Sequence, residues 1–88
     1  MTIGYITSII NLIYIYMGDI MYEKILENIR YYKEKNNMSI EDLSIKTNLS
    51  IPYLSSLIKG TRKNPSLDTI YKFSVAFGID IMDLIGLK

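Results

Sequence analysis

The chain has 88 residues, which suffices for one domain around one modest core, since a chain this short buries only about 60–65% of its unfolded surface. Ten Lys and Arg against nine Asp and Glu give a net charge of +1, so any electrostatic signal for nucleic acid or an acidic partner has to be local. There is no Cys and no His, which excludes a disulfide framework, a thiolate zinc site and the usual general base, and predicts an intracellular, cytoplasmic chain. The hydrophobic fraction of 49% is at the upper edge of ordinary globular usage.

The excess is concentrated at the start. Fifteen of the first twenty-two residues are apolar or aromatic, Asp19 is the one charge among them, and the first basic residue is Lys24. Residues 1–18 therefore read as an apolar leader and 19–88 as the domain. In the leader Gly4, Thr7, Ser8 and Asn11 fall at i, i+3, i+4 and i+7, a narrow polar stripe on an otherwise apolar helix. Leu12–Met17 is β-branched and aromatic enough to form a strand instead. The uncharged run from Ile3 to Met17 is short for a bilayer, which takes about 20 residues, and lacks the basic start of a signal peptide. Three readings stay open for the leader: an over-long start ahead of Met17 or Met21, a contact with a partner or second copy, or a membrane tether.

From Tyr22 the pattern is helical. Tyr22, Ile25, Leu26, Ile29 and Tyr32 form one apolar face, and Asn36-Asn37 is a left-handed stop, predicting a first helix of three to four turns. Ser39 followed by Glu41 and Asp42 resembles a capping box and opens a second helix from Ile40 to about Thr47. Asn48-Leu49-Ser50 makes a tight turn, Ser50 caps a third helix over about 51–59 that tolerates Pro52 in its first turn, and Gly60 ends it. Ser66 caps a fourth helix with Leu67, Ile70, Phe73, Ser74 and Phe77 inward and Gly78 as its stop. Asp80 caps a short fifth helix with Ile81, Leu84 and Ile85. The prediction is an all-α fold.

Two helices of about eight residues joined by a three-residue turn form a helix-turn-helix. The residues Met38-Ser39-x-Glu41-Asp42-Leu43-Ser44, Leu49-Ser50-x-x-Tyr53-Leu54-Ser55-x-Leu57-x-x-Gly60, Asn64-Pro65-Ser66 and Phe77-Gly78-Ile79 resemble the Cro/cI-type (XRE) helix-turn-helix family of bacterial and phage repressors over about residues 22–86. Tyr53-Leu54-Ser55-Ser56 and Asn64-Pro65-Ser66 are especially similar to the DNA-binding domains of SinR-like regulators. The resemblance implies a five-helix, lambda-repressor-like bundle preceded by the apolar segment, which binds double-stranded DNA as a homodimer with helix 3 in the major groove. Two positions depart from the family: Ile40 stands where Gln is frequent and Ile58 where Glu is frequent, which suggests a differently aimed interface or an exposed apolar spot.

With Leu54, Leu57 and Ile58 inward, the outward set on helix 3 is Ile51, Pro52, Tyr53, Ser55, Ser56 and Lys59. Positions 51, 52 and 56, and by resemblance Arg62, are the base readers, with Tyr53 and Ser55 alongside. Ile51 and Pro52 suit thymine methyls, the serines donate or accept, and Arg62 suits guanine in a bidentate pair. No acidic residue occurs between Asp42 and Asp68, while Lys46, Lys59, Arg62 and Lys63 supply +4. Lys46, Lys59 and Lys63, with Ser50, Thr61 and Asn64 as neutral donors, are the expected phosphate contacts. Dimer contacts are expected at Ile81, Leu84, Ile85 and Leu87, or in the leader. No metal, cofactor or catalytic residue is predicted, because the nine carboxylates are scattered and no nucleophile and base are paired. The expected function is a sequence-specific transcriptional regulator, a repressor. The alternative is an antitoxin-like or membrane-associated interaction module that keeps the helix-turn-helix fold.

Overall fold

The fold follows from three serine caps and one aspartate cap, each opening a helix after a short turn. In the computed structural model, which describes residues 2–62 and 64–86 and the side chains of 7–12 and from 21 onward, five helices run in the order α1 (Thr2–Lys35), α2 (Ile40–Thr47), α3 (Ile51–Ile58), α4 (Leu67–Phe77) and α5 (Ile81–Ile85). No strand occurs among the described residues. Ser39 accepts from the Asp42 N–H at 3.0 Å while the Asp42 carboxylate accepts from the Ser39 N–H at 3.0 Å, which completes the capping box. Ser50 and Ser66 accept from the third backbone N–H of α3 and α4, and Asp80 accepts from the Met82 N–H of α5. Asn37, Asn48 and Gly78 supply the left-handed residues that end α1, α2 and α4.

The core is built by one face of every helix. Ile25, Leu26 and Ile29 of α1, Leu43 of α2, Leu54 and Leu57 of α3, Ile70, Phe73 and Phe77 of α4, and Leu84 of α5 are buried together with Met38. Phe73 and Phe77 stack at 5.9 Å, and Tyr32 extends the stack at 5.8 Å from Phe77. The turn between α2 and α3 is closed by side chains as well as backbone: the Ser44 hydroxyl donates to the Leu49 carbonyl at 2.6 Å, and Thr47 donates to the Leu43 carbonyl and accepts from the Leu49 N–H. These bonds fix how α3 leaves α2.

Several expectations change. The first helix does not begin near Tyr22: α1 is one helix of 34 residues that runs through the leader without a break, so Leu12–Met17 is helical and not extended. The helical hydrogen-bond ladder pairs the backbone there, and no strand occurs among the described residues to offer an alternative. Leu67 is 70% exposed and not inward, while Pro65, two residues earlier, is fully buried. Leu84 is fully buried in its own domain, so it is not free to meet a second copy, and Ile81 and Ile85 pack partly against the same core. Leu87 lies outside the described residues. Ile40 and Ile58 are partly buried against the core, so neither is an exposed apolar spot.

Asp42 carries a testable consequence. The Ser39 backbone N–H, then the Ser39 side chain and more weakly the Lys46 charge, hold its carboxyl below the ordinary 3.8. A carboxylate lowered by folding stabilises above its unfolded pKa and loses that contribution as pH falls through the still lower folded value. Asp42→Asn should therefore flatten the acid limb of the stability curve below about pH 4, measured as urea midpoint against pH, and leave the neutral limb parallel to the wild type.

Candidate nucleic-acid interface

The eight residues of α3 bury Leu54 and Leu57 and present the other side. Ile51, Pro52 and Lys59 are exposed, while Tyr53, Ser55, Ser56 and Ile58 are half-buried. Gly60, at φ +81°, turns the chain in a conformation that side chains rarely adopt. The loop then folds back, and the Arg62 N–H donates to the Ser56 carbonyl at 3.1 Å. Pro52, Tyr53, Ser56, Thr61 and Arg62 consequently line one shallow recess of about 420 Å³.

Tyr53 organises that recess. Its hydroxyl lies 3.3 Å from the Thr69 hydroxyl of α4, and Thr69 in turn accepts from Ser66 at 3.0 Å. Its ring carries the Arg62 guanidinium at 5.2 Å, a cation–π contact. Tyr53 therefore sits as a platform and not as a free reading edge, and Arg62 is the group it presents. Ser56 donates its proton to the Tyr53 carbonyl at 2.7 Å; what it offers outward is acceptor capacity, which suits an exocyclic amine on adenine or cytosine. Ser50 uses an oxygen lone pair to cap α3 at 3.3 Å, a bond that does not engage its hydroxyl proton.

The remaining predicted residues are placed apart. Lys59 and Asn64 line a second groove, of about 640 Å³, with Tyr22, Leu26, Arg30 and Ile58. Lys46 lies in a third recess with Asn36, Asn37, Asp42 and Ile45. Lys63 lies outside the described residues. The structure thus joins five of the predicted residues, Arg62 among them, in one recess and places Lys59 and Lys46 in two others.

Sequence reasoning missed Arg30 and Asn28. The Arg30 guanidinium of α1 donates to the Ile58 carbonyl at the end of α3 at 3.1 Å, and Asn28 donates to the Leu84 carbonyl at the end of α5 at 2.8 Å. The last turn of α3 has no basic residue of its own, so α1 supplies the cation that a helix C-terminus favours. The available signal was that missing charge; its partner, 28 residues away in sequence, was not readable.

Comparison with known proteins agrees with this geometry. A family model described as Helix-turn-helix matches residues 29–84. The HTH-type transcriptional regulator DdrOP3 of Deinococcus deserti is 34% identical over 62 residues, covering 70% of this chain and 47% of the relative. Control protein C.BamHI of Bacillus amyloliquefaciens is 45% identical over 51 residues, 58% of this chain and 62% of the relative. The HTH-type transcriptional regulator SlrR of Bacillus subtilis is 30% identical over 56 residues, 64% and 37% of the two chains. The match to this chain thus spans less than two thirds of each of these relatives.

The Arg30 contact predicts its own cost. Arg30→Met keeps the aliphatic stem and removes the charged donor, and should destabilise the fold by about 1–3 kcal/mol, read from urea unfolding.

Proposed function

The chain belongs to the helix-turn-helix family, and from that membership we propose that it is a sequence-specific DNA-binding transcriptional regulator, a repressor, that reads the major groove with α3. The observation that carries the reading is Arg62 held on Tyr53 beside the exposed start of α3. Arg62 is the specificity contact, paired to guanine, with Ile51 and Pro52 against thymine methyls and Ser55 and Ser56 alongside. Lys46, Ser50, Lys59, Thr61, Lys63 and Asn64 contact phosphates from the periphery. The names of two relatives, HTH-type transcriptional regulators, support this class of function.

The proposed unit on DNA is a homodimer in the cytoplasm, acting on two half-sites about one helical turn apart, without catalysis and without a cofactor. Residues 19–88 form the DNA-binding unit and 1–18 an appended apolar segment. Among the described residues, no helix is long and apolar enough to cross a membrane.

Binding to a pool of genomic fragments tests the reading. The logarithm of affinity should fall against the logarithm of salt with a slope of about −3 to −4 per monomer, given about −0.9 per phosphate neutralised; a flat slope overturns it. Among selected sites, Arg62→Ala should cost about 1–3 kcal/mol of discrimination at one base pair, whereas Lys59→Ala should weaken all sequences alike. Tyr53→Leu removes the platform and should reduce preference at the same base pair about two- to fivefold, while Tyr53→Phe keeps the ring and most of the preference.

A further inference from the structure

The sequence of the amino-terminal half of α1 carries a second apolar row, distinct from the line that meets the core further along the helix. Helical positions 4, 7, 8 and 11 precede 22, 25, 26 and 29 by 18 residues, which is five turns at about 3.6 residues each. The polar stripe Gly4, Thr7, Ser8 and Asn11 is therefore the straight continuation of the line on which Tyr22, Ile25, Leu26 and Ile29 meet the core. From Gly4 to Asn11 that line carries only small or polar residues, and Ile15 is the apolar residue that follows on it.

Its apolar positions include an unbroken three-four repeat: Ile3, Ile6, Ile10, Ile13, Met17 and Ile20. At about 100° per residue, this row is centred roughly 140° around the helix from the core-facing line. The next two positions of the repeat are Lys24 and Glu27, so the row stops where the packed domain begins. All six residues from Thr7 to Leu12 are exposed, more than a full turn of helix, with Leu12 at 66%. At about 1.5 Å per residue, 34 residues span about 51 Å, which accounts for the 54 Å length of a molecule otherwise 27 × 18 Å. Residues 7–12 thus stand clear of the bundle.

We propose that this row is a coiled-coil seam and that its occupant is the same segment of a second copy of the chain. A repeat of alternating three and four residues is the spacing at which two helices keep apolar rows in contact. The segment also has what a self-contact needs in charge: Asp19 is its one ionised residue, at a position off the row, so two copies meet without like charges in the seam. A bilayer surface is a poorer occupant, because no Lys or Arg precedes Lys24 to engage headgroups. The proposal rests on the homodimer reading above and gives it a location.

The test is the mass of the full chain in solution, by sedimentation equilibrium without DNA. The wild type should show at least twice the 10.2 kDa chain mass at micromolar concentration. Ile10→Ala with Ile13→Ala, which keeps a good helix former at both positions, should raise the dissociation constant at least about tenfold. Ile15→Ala, in line with the polar stripe, should leave it unchanged. Helicity and melting temperature of each variant report folding separately. A monomeric wild type, equal losses in both variants, or co-sedimentation of the wild type with phosphatidylcholine vesicles in place of self-association overturns the proposal. Binding of the weakened variant to a single half-site is read in parallel, so a failure of self-association and a failure of DNA binding are distinguishable.

Discussion

α1 closes the carbonyl ends of two helices that are too short to hold themselves. A helix of five or eight residues is marginal in water, because nucleation costs several fixed residues before the ladder repays them. α3 and α5 therefore depend on partners, and α1 provides them twice, through Arg30 to Ile58 and Asn28 to Leu84. The buried residues Ile25, Leu26 and Ile29 of the same helix lie between these two contacts in the core. One helix thus shares a core with Leu54 and Leu57 of α3 and also holds the carbonyl at its end.

With α3 fixed in this way, the recess beside it depends on local chemistry. Tyr53 ties α3 to α4 through Thr69, and the same ring supports Arg62 on the loop that follows. A guanidinium on a long stem otherwise spends conformational entropy when it binds. A ring at 5.2 Å and a backbone bond from Arg62 to Ser56 remove part of that freedom beforehand. Arg62 is thus placed before any ligand arrives.

What was legible in the sequence was local. Ser39 with Asp42, Ser50 ahead of Pro52, Ser66, Asp80 and the stops at Asn37, Asn48 and Gly78 are short-range signals, and each helix from α2 to α5 begins where its cap predicts. The inward residues Leu43, Leu54, Ile70, Phe73 and Phe77 followed from periodicity. Contacts across the fold were not legible: periodicity places Tyr53 on the outer side of α3, and only the position of α4 turns it into a platform. Leu67 and Leu84 show the same limit in opposite directions. Each falls on an apolar face by periodicity, but the first is left exposed and the core closes completely over the other.

The start of α1 was the hardest to read because its composition satisfies several structures at once. A run of isoleucine, tyrosine and methionine suits a strand, a short membrane segment or a helix equally, and no cap marks a boundary between it and the domain. The continuous helix resolves the ambiguity by supplying a register. Once residues 4 to 11 and 22 to 29 lie on one straight axis, the polar stripe and the core-facing face coincide, and the isoleucine row is left to one side. Net hydrophobicity alone could not distinguish a helix folded back on its own domain from one that meets another chain. The 18-residue offset adds a register to that composition, because it sets Gly4, Thr7, Ser8 and Asn11, and Ile15 after them, on the line that meets the core further along the helix.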